Sequence, residues 1–263
     1  MCLVVFSRTV SGLEFIEILV AEEPGVVPHL IYYQRTLAGD EQEAAELMRD
    51  AAKADAVGAV DTILVPALGR ARRDRDLGQL TPEEYAHVAA LTRAAAAHLP
   101  LPAPSSAPPP QDVAVVAGCA GRDDADRVAL EFLGRLLESA PTPCALRTIS
   151  AGRSMTGVVE AVRAIDPALI CLGSLAPDGR LRHLVSRLRR TFPNTPLVVG
   201  CWGEDAADLR GRFTDAGADE VVTTLADARD AVLEMVPATT GLPASDSPPA
   251  TLGSSAGPTR RGP

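Results

Sequence analysis

The alternation of strand-like runs and helix-period segments between residues 112 and 224 constrains the fold of this chain most strongly. Five short runs have strand character: 113–117, 145–149, 168–172, 196–200 and 220–223. The first, third and fourth are apolar throughout, which is typical of strands buried on both faces of a parallel sheet. Residues at helical spacing follow each run, and right-handed crossovers then predict a doubly wound sheet.

In sheets of this kind, ligands bind outside the carboxyl ends of the strands, where the strand order reverses. The loops at 118–126, 173–179 and 200–205 follow three of the predicted strands. We therefore expect a flavodoxin-like, doubly wound, five-stranded parallel sheet whose ligand edge is made by these loops.

The part of the chain before the sheet is predicted to be a mostly α-helical bundle. Helices are indicated at 41–54, 57–70 and 81–98, and the second carries Pro66 inside its apolar pattern, which predicts a kink. The third begins with Thr81 and a proline at the first helical position, both typical of a helix start.

Composition changes along the chain predict five segments. We expect a strand and helix segment at 1–39, a helical bundle at 40–99, a proline-rich linker at 100–112, the sheet domain at 113–236 and a disordered tail at 237–263. The prolines of the linker favour an extended spacer, and the tail has almost no large apolar residue.

The overall charge and the hydropathy exclude two classes of partner. The formal net charge is −9, whereas non-specific nucleic-acid binding needs a basic face. No apolar run reaches the length of about 18 residues that a membrane span needs.

The five cysteines lack CxxC spacing, which favours reduced thiols and a cytoplasmic location. We assign membrane contact, if a partner recruits the chain, to residues 2–20, which are rich in apolar groups.

Three carboxylates, Asp123, Asp124 and Asp126, follow the first predicted strand. One interpretation is a helix start with capping and dipole-matched acids, and another is a ligand contact at Asp124. A phosphorylation receiver would also place an aspartate after the third strand and a lysine after the fifth. Gly173-Ser174 and Thr223-Thr224 stand at those places instead.

No catalytic or metal-ligating set can be assigned from the sequence. The loop 118–121 is only a partial glycine loop, and the nearby carboxylates would repel a pyrophosphate. The four histidines have no metal-ligand spacing and none is expected near a strand end, so we interpret them as surface or bundle residues. Two residues at the ligand edge keep open alternatives. Ser174 is a ligand contact or a turn residue, and Trp202 is a pocket wall, a partner surface or part of the core.

The order of helical bundle, linker and doubly wound domain resembles the cobalamin-binding module over about residues 37–235. In the helical part it is similar to the bundle that precedes the cobalamin domain in methionine synthases and light-responsive regulators. The resemblance rests on the stretches 37–40, 64–68, 78–81, 168–175, 197–203 and 216–219. The bundle's signature for an adenosyl group is replaced by Arg75 and Tyr85-Ala86.

The hallmark of that family is Asp-x-His-x-x-Gly after the first strand, where the histidine binds cobalt. Asp124 matches the aspartate, but Asp126 stands for the histidine and Ala129 for the glycine. The resemblance therefore implies cobalamin that is bound weakly and base-on, with no metal ligand from the protein. The implied contacts are Asp124, Asp126, Ser174, Leu175, Gly200 and Gly203.

The stretches 3–15 and 31–44 resemble the cytoplasmic region after the last transmembrane helix in permeases of the autoinducer-2 exporter family. This implies the soluble part of such a permease, or a partner to one. We expect a non-catalytic sensory or regulatory module. The alternatives are a ligand-free protein-interaction scaffold and a subunit of a cobalamin-dependent methyltransferase or mutase.

Overall fold

The computed structural model of this protein describes residues 27–97, 99, 113–140, 144–150, 152, 154–203 and 206–236. The predicted N-terminal strand and the membrane contact at 2–20 lie outside these residues. The proline-rich linker at 100–112 and the tail at 237–263 lie outside them as well.

The described chain begins with a helical bundle. Its helices are α1 (Pro28–Leu37), α2 (Glu41–Ala54), α3 (Ala56–Ala59), α4 (Val65–Asp76) and α5 (Pro82–Ala97). Helix α2 has the predicted bounds, and its start is capped by the Asp40 side chain. Helix α5 starts with a capping box, in which Thr81 and Glu84 accept hydrogen bonds from each other's backbone N–H. The prediction of a helical bundle is confirmed for these residues.

A π-helical turn (Val60–Leu64) joins α3 to α4. Its wider turn is closed by the Val65 N–H, which donates to the Val60 carbonyl. Pro66 follows at once; proline has no N–H, and in an α-helix its ring would clash with the carbonyl of Thr62. The structure therefore differs from the predicted kinked helix over 57–70, because the π turn accommodates the proline and the helix continues to Asp76.

The second part of the described chain contains five parallel strands in one sheet. They are β1 (Val115–Ala120), β2 (Ala145–Ile149), β3 (Leu169–Ser174), β4 (Leu197–Cys201) and β5 (Glu220–Val222). The strand order is β2-β1-β3-β4-β5, and all four pairings are parallel. The flavodoxin-like sheet is confirmed, and its order reverses between β1 and β3.

Helices connect the strands and cover both faces of the sheet. They are α6 (Asp124–Glu138), α7 (Met155–Ile165), α8 (Gly179–Thr191), α9 (Ala206–Thr214) and α10 (Leu225–Met235). Helices α7, α8 and α9 pack on one face around Ile170 and Val199. Helices α6 and α10 pack on the opposite face around Leu169 and Val198.

The helical bundle packs against α6 and α10, so that one apolar cluster extends from the bundle to the sheet. Tyr32 and Leu68 of the bundle, Leu133 of α6 and Val116 of β1 belong to this cluster, and all four are fully buried. The boundary at 100–112 stays a prediction, but the described residues on its two sides share a core.

A half-buried carboxylate joins the π turn to α10. Asp61 accepts hydrogen bonds from the backbone N–H groups of Leu225 and Ala226, at 2.6 and 3.0 Å. These N–H groups belong to the first turn of α10, where they have no partner inside the helix. Burial raises the pKa of Asp61 above its ordinary value. The bundle thus contributes a cap to a helix of the sheet domain.

The described cysteines lie in or beside the strands. Cys119, Cys144, Cys171 and Cys201 are buried and form no disulfide among the described residues. Burial raises the pKa of the Cys171 thiol to about 12. For these four residues, the interpretation of the cysteines as small buried groups agrees with their placement.

Candidate functional site

A cleft of about 640 Å³ lies between the helical bundle and the carboxyl ends of β3 and β4. Helices α1 and α4 form one wall, and the loops after β3 and β4 form the other. The residues on which the following argument depends are His29, Arg70, Arg72, Arg73, Leu175 and Trp202. The cleft therefore lies along the edge at which the sequence predicts a ligand.

Asp126 is fully buried beside the cleft and holds two loops together. One of its carboxylate oxygens accepts a hydrogen bond from the Leu175 N–H, at 2.7 Å, and the other from the Arg122 N–H, also at 2.7 Å. The loop after β1 is thereby tied to the loop after β3. Both oxygens are engaged in structural contacts, although the sequence predicts Asp126 as a ligand contact.

The burial of Asp126 makes a prediction about pH. Desolvation raises its pKa to about 6, from an ordinary value of 3.8, although both amides oppose the shift. The pKa of Asp126 is thus higher in the folded protein than in the unfolded chain. The stabilisation from protonated Asp126 is therefore complete below about pH 4 and is lost as the pH rises through about 6. A difference of about two pKa units corresponds to about 3 kcal/mol.

Urea unfolding of the wild type and of Asp126→Asn at several pH values between 4 and 7 measures this contribution. The free energy of unfolding of the wild type minus that of the variant should decrease with rising pH, because the variant cannot titrate. If this difference in unfolding free energy did not change with pH, Asp126 would have the same pKa in the folded and the unfolded protein.

Asp123 connects the start of α6 to the helical bundle. One oxygen of its carboxylate accepts from the N–H groups of Ala125 and Asp126 and so caps the helix. The other accepts from Arg72 Nη1 at 2.5 Å, Arg75 Nη1 at 3.1 Å and the Tyr85 hydroxyl at 3.0 Å. The capping interpretation of the acidic loop is confirmed for Asp123, while its bonds to α4 and α5 were not predicted.

The side chains around Asp123 form a compact charged group. The Arg75 guanidinium lies over the Tyr85 ring, 4.7 Å from its centroid. The side chain of Arg72 is only 3% exposed, and it also donates to Asp76 at 3.0 Å. Burial alone would lower the pKa of Arg72, but the charge of Asp123 and the bonds to its neighbours raise the pKa, so Arg72 remains a cation. Arg75 and Tyr85, which stand in the place of the adenosyl signature, thus contribute to the contact between bundle and sheet domain.

Asp124 lies apart from these residues. Its side chain is 69% exposed and pairs with Arg127 at 3.1 Å. It lines a second, shallower cleft of about 430 Å³ between α5 and α6, together with Asp123. Of the two predicted acidic contacts, Asp126 therefore lies in the interior beside the first cleft and Asp124 lies at the surface of another.

Trp202 fills a slot at the ends of β3 and β4. Its side chain is almost fully buried, with 1% exposed. A Cβ atom on Gly200 would overlap the indole ring, and one on Gly173 would lie 2.8 Å from the indole nitrogen. The absence of side chains at these glycines leaves the slot that the indole occupies. The predicted contact Gly200 therefore touches Trp202, while Gly203 is exposed at the rim of the cleft with φ +75°.

Ser174 and Leu175 lie at the end of β3 beside Asp126. The Ser174 hydroxyl is buried and accepts from the Ala176 N–H at 3.3 Å, which is the turn arrangement that the sequence offered as one alternative. The Leu175 side chain is buried and lines the cleft. Of the predicted contacts, the structure thus brings Asp126, Ser174 and Leu175 together, because the Leu175 N–H donates to Asp126 and Ser174 precedes Leu175 at the end of β3.

The wall of the cleft on the bundle side is cationic. Arg70 pairs with Asp74 at 2.9 Å, whereas Arg73 is exposed and has no acidic partner within the described parts of the chain. Burial and the charge of Arg70 lower the pKa of His29. His29 lies on a bundle helix, as interpreted from the sequence, but it lines the cleft together with Leu175 and Trp202, which the sequence did not predict. Helix α1 is far in sequence from β3 and β4, and no sequence motif indicated that His29 would lie at this edge of the sheet.

Among the described helices, none combines the length and the apolar character needed to cross a membrane. No protein-family model matches the sequence, and no curated protein matches it significantly.

Solved structures offer distant similarity. A cobalamin-binding protein from Desulfitobacterium hafniense is 14% identical with a TM-score of 0.39, covering 78% of this chain and 97% of its own. The methanol:cobalamin methyltransferase complex from Methanosarcina barkeri is 14% identical with a TM-score of 0.37, covering 90% and 93%. A putative pilus assembly protein from Burkholderia thailandensis is 15% identical with a TM-score of 0.37, covering 47% and 98%. At these values the likeness carries no argument about function.

Proposed function

We propose that this protein is a non-catalytic sensory or regulatory module that binds a small molecule between its helical bundle and its sheet. The observation that carries the proposal is the cleft of about 640 Å³ along the carboxyl ends of β3 and β4. Its volume is in the range of small-molecule sites, and its place in the fold is where doubly wound sheets bind ligands.

The polar groups at this edge support a binding role over a catalytic one. Asp126 accepts two backbone amides, Asp123 caps α6 and holds Arg72, and Ser174 closes its own turn. General acid–base or nucleophilic catalysis needs a side chain that reaches the substrate. These three groups are instead engaged in structural contacts: Asp123 bridges the bundle and the sheet domain, Asp126 ties two loops together, and Ser174 closes a turn.

The sequence resemblance offers cobalamin as the ligand, and the slot tests whether it fits. A nucleotide tail that enters the sheet edge does not fit beside the indole of Trp202, which already touches Gly173 and Gly200. Asp126 is also fully buried, does not line the cleft, and accepts an amide hydrogen at each oxygen, so its carboxylate does not face the cleft as a cobalt ligand. We therefore propose that cobalamin, if it is the ligand, is held base-on and weakly in the cleft alone.

An absorbance titration with hydroxocobalamin tests this proposal. We expect the bound form to keep the base-on spectrum. Gly69→Phe should abolish binding, because Gly69 lines the cleft and its Cβ direction is open. Gly211→Phe is the matched control on α9, exposed and open, and should bind like the wild type. A base-off spectrum of the wild type at neutral pH would contradict the proposed mode.

The occupied slot also favours a second candidate, a ligand-free protein-interaction scaffold. In that case hydroxocobalamin would not bind to any of these variants. A partnership with a permease belongs to the same proposal and rests on the sequence resemblance. A cytoplasmic location also belongs to it and rests on the cysteine pattern. Co-purification with a candidate permease would test the partnership. A corrinoid subunit of a methyltransferase or mutase is disfavoured by the engaged oxygens of Asp126.

A further inference from the structure

The charge of the cleft differs from that of the chain. The chain carries a formal net charge of −9. The cleft is lined by Arg70, Arg72, Arg73 and His29, with Asp76 as the acid among its described lining residues. Burial, and after it the charge of Arg70, lower the pKa of His29. Arg70 is paired with Asp74, and Arg72 with Asp123 and Asp76. Arg73 is thus the arginine of this lining that has no acidic partner among the described residues, and an unpaired charge in a concave site attracts the opposite charge.

Two of these arginines have unused hydrogen-bond donors. Arg73 is exposed and has no acidic partner within the described residues. Arg72 Nη2 is buried, and it makes no hydrogen bond of ordinary geometry within those residues. A buried donor without an acceptor is costly, particularly on a charged group. The cleft therefore contains a buried cation that is paired with Asp123 and Asp76 but keeps one donor, Nη2, without an acceptor among the described residues. Beside it, one position further along the chain, lies the exposed cation of Arg73.

We propose that the cleft binds a small oxyanion-bearing molecule, a phosphate or a carboxylate, whose oxygens accept from Arg72 and Arg73. This inference rests on the proposed function, because it names the chemistry of the ligand held in the same cleft. Guanidinium groups donate to phosphate and carboxylate oxygens in a planar, paired geometry. Leu175 and Trp202 give the opposite wall an apolar surface, so the ligand carries its charge at the end that faces α4.

Trp202 is the only tryptophan in the chain, and it lines the cleft. Its fluorescence therefore reports directly on binding. We would titrate the full-length protein with inorganic phosphate and, separately, with succinate, while potassium chloride keeps the ionic strength constant. We expect a saturable change in fluorescence, and the tighter of the two ligands shows whether the site takes phosphate or carboxylate.

Charge variants test the site itself. Arg73→Glu should weaken binding by about tenfold or more, which is the usual loss for a hydrogen bond to a charged group. Arg73→Lys should retain most of the affinity because it keeps the charge. Arg49→Glu is the matched control, because Arg49 is also exposed on a bundle helix but does not line the cleft. It should bind like the wild type.

Arg72→Lys tests the buried donor, and it should lose about tenfold in affinity if the variant folds. Should it fail to fold, the Arg73 variants decide. The absence of saturation with both anions would overturn the inference, as would an equal loss in Arg73→Glu and Arg49→Glu. Hydroxocobalamin binding without anion binding would leave the proposed function standing and this inference refuted. Anion binding without hydroxocobalamin binding would support this inference and refute cobalamin as the ligand of the proposed module.

Discussion

Replacement of Asp123 by alanine is expected to destabilise the protein by about 3–5 kcal/mol, the usual loss when one partner of a buried ion pair is removed. The change leaves the cation of Arg72, whose side chain is 3% exposed, without its partner across the interface. It also removes the cap of α6 and the acceptor of the Tyr85 hydroxyl. The three losses fall on one carboxylate, which is why the expected effect is large.

Urea unfolding at neutral pH measures this effect. Asp124→Ala is the matched control, because the neighbouring carboxylate is 69% exposed and pairs with Arg127 at the surface. Its effect should stay within about 0.5 kcal/mol. Asp123→Asn, which keeps an acceptor for the helix cap, should give a loss between the two. Equal losses in Asp123→Ala and Asp124→Ala would show that the interface does not depend on Asp123.

The second large effect is expected where Trp202 lies against Gly200. Gly200→Ala should cost about 1–3 kcal/mol or more, because the new methyl group would overlap the indole. Trp202→Ala should cost about 3–5 kcal/mol, because it empties a buried slot. In the double variant the methyl group points into the emptied slot, so the combined loss should be smaller than the sum by about 1–3 kcal/mol.

The free energies of unfolding of the wild type, the two single variants and the double variant form a double-mutant cycle that measures this difference. Gly211→Ala is the matched control for adding a methyl group, since Gly211 lies in α9 with open space around its Cβ direction. In combination with Trp202→Ala it should be additive. Additive behaviour of Gly200→Ala and Trp202→Ala would mean that the two residues do not touch in solution.

The sheet could be predicted from the sequence because its signals are local. The runs around Val116, Ile170 and Val198 are apolar in succession, which requires burial on both faces. The helix start at Thr81 could be predicted for the same reason, since a cap and the amide it accepts from are neighbours in sequence. Parallel pairing and right-handed crossovers then leave few topologies.

The contacts between the bundle and the sheet could not be predicted, because they depend on how the two parts pack. Arg72 and Asp123 are 51 positions apart, and Asp61 caps a helix 164 positions away. Sequence also could not distinguish the three acids of the loop after β1. One caps and bridges, one faces solvent and one is buried, and the direction of each side chain decides this. The contact of Trp202 with Gly200 could not be predicted either, because it depends on how the chain turns after β4.

The π turn at Val60–Leu64 has a consequence for how related chains would vary. Each residue rotates a helix by about 100°, so a wider turn sets α4 out of phase with α3. Both Asp61, which reaches α10, and Arg72, which reaches Asp123, face the sheet domain across this change of phase. In a chain of the same length without the wider turn, a regular α-helix would present Ala71 where Arg72 stands. A homologue that lost the π turn would therefore keep its arginine in place only if it also lost one residue at 60–64.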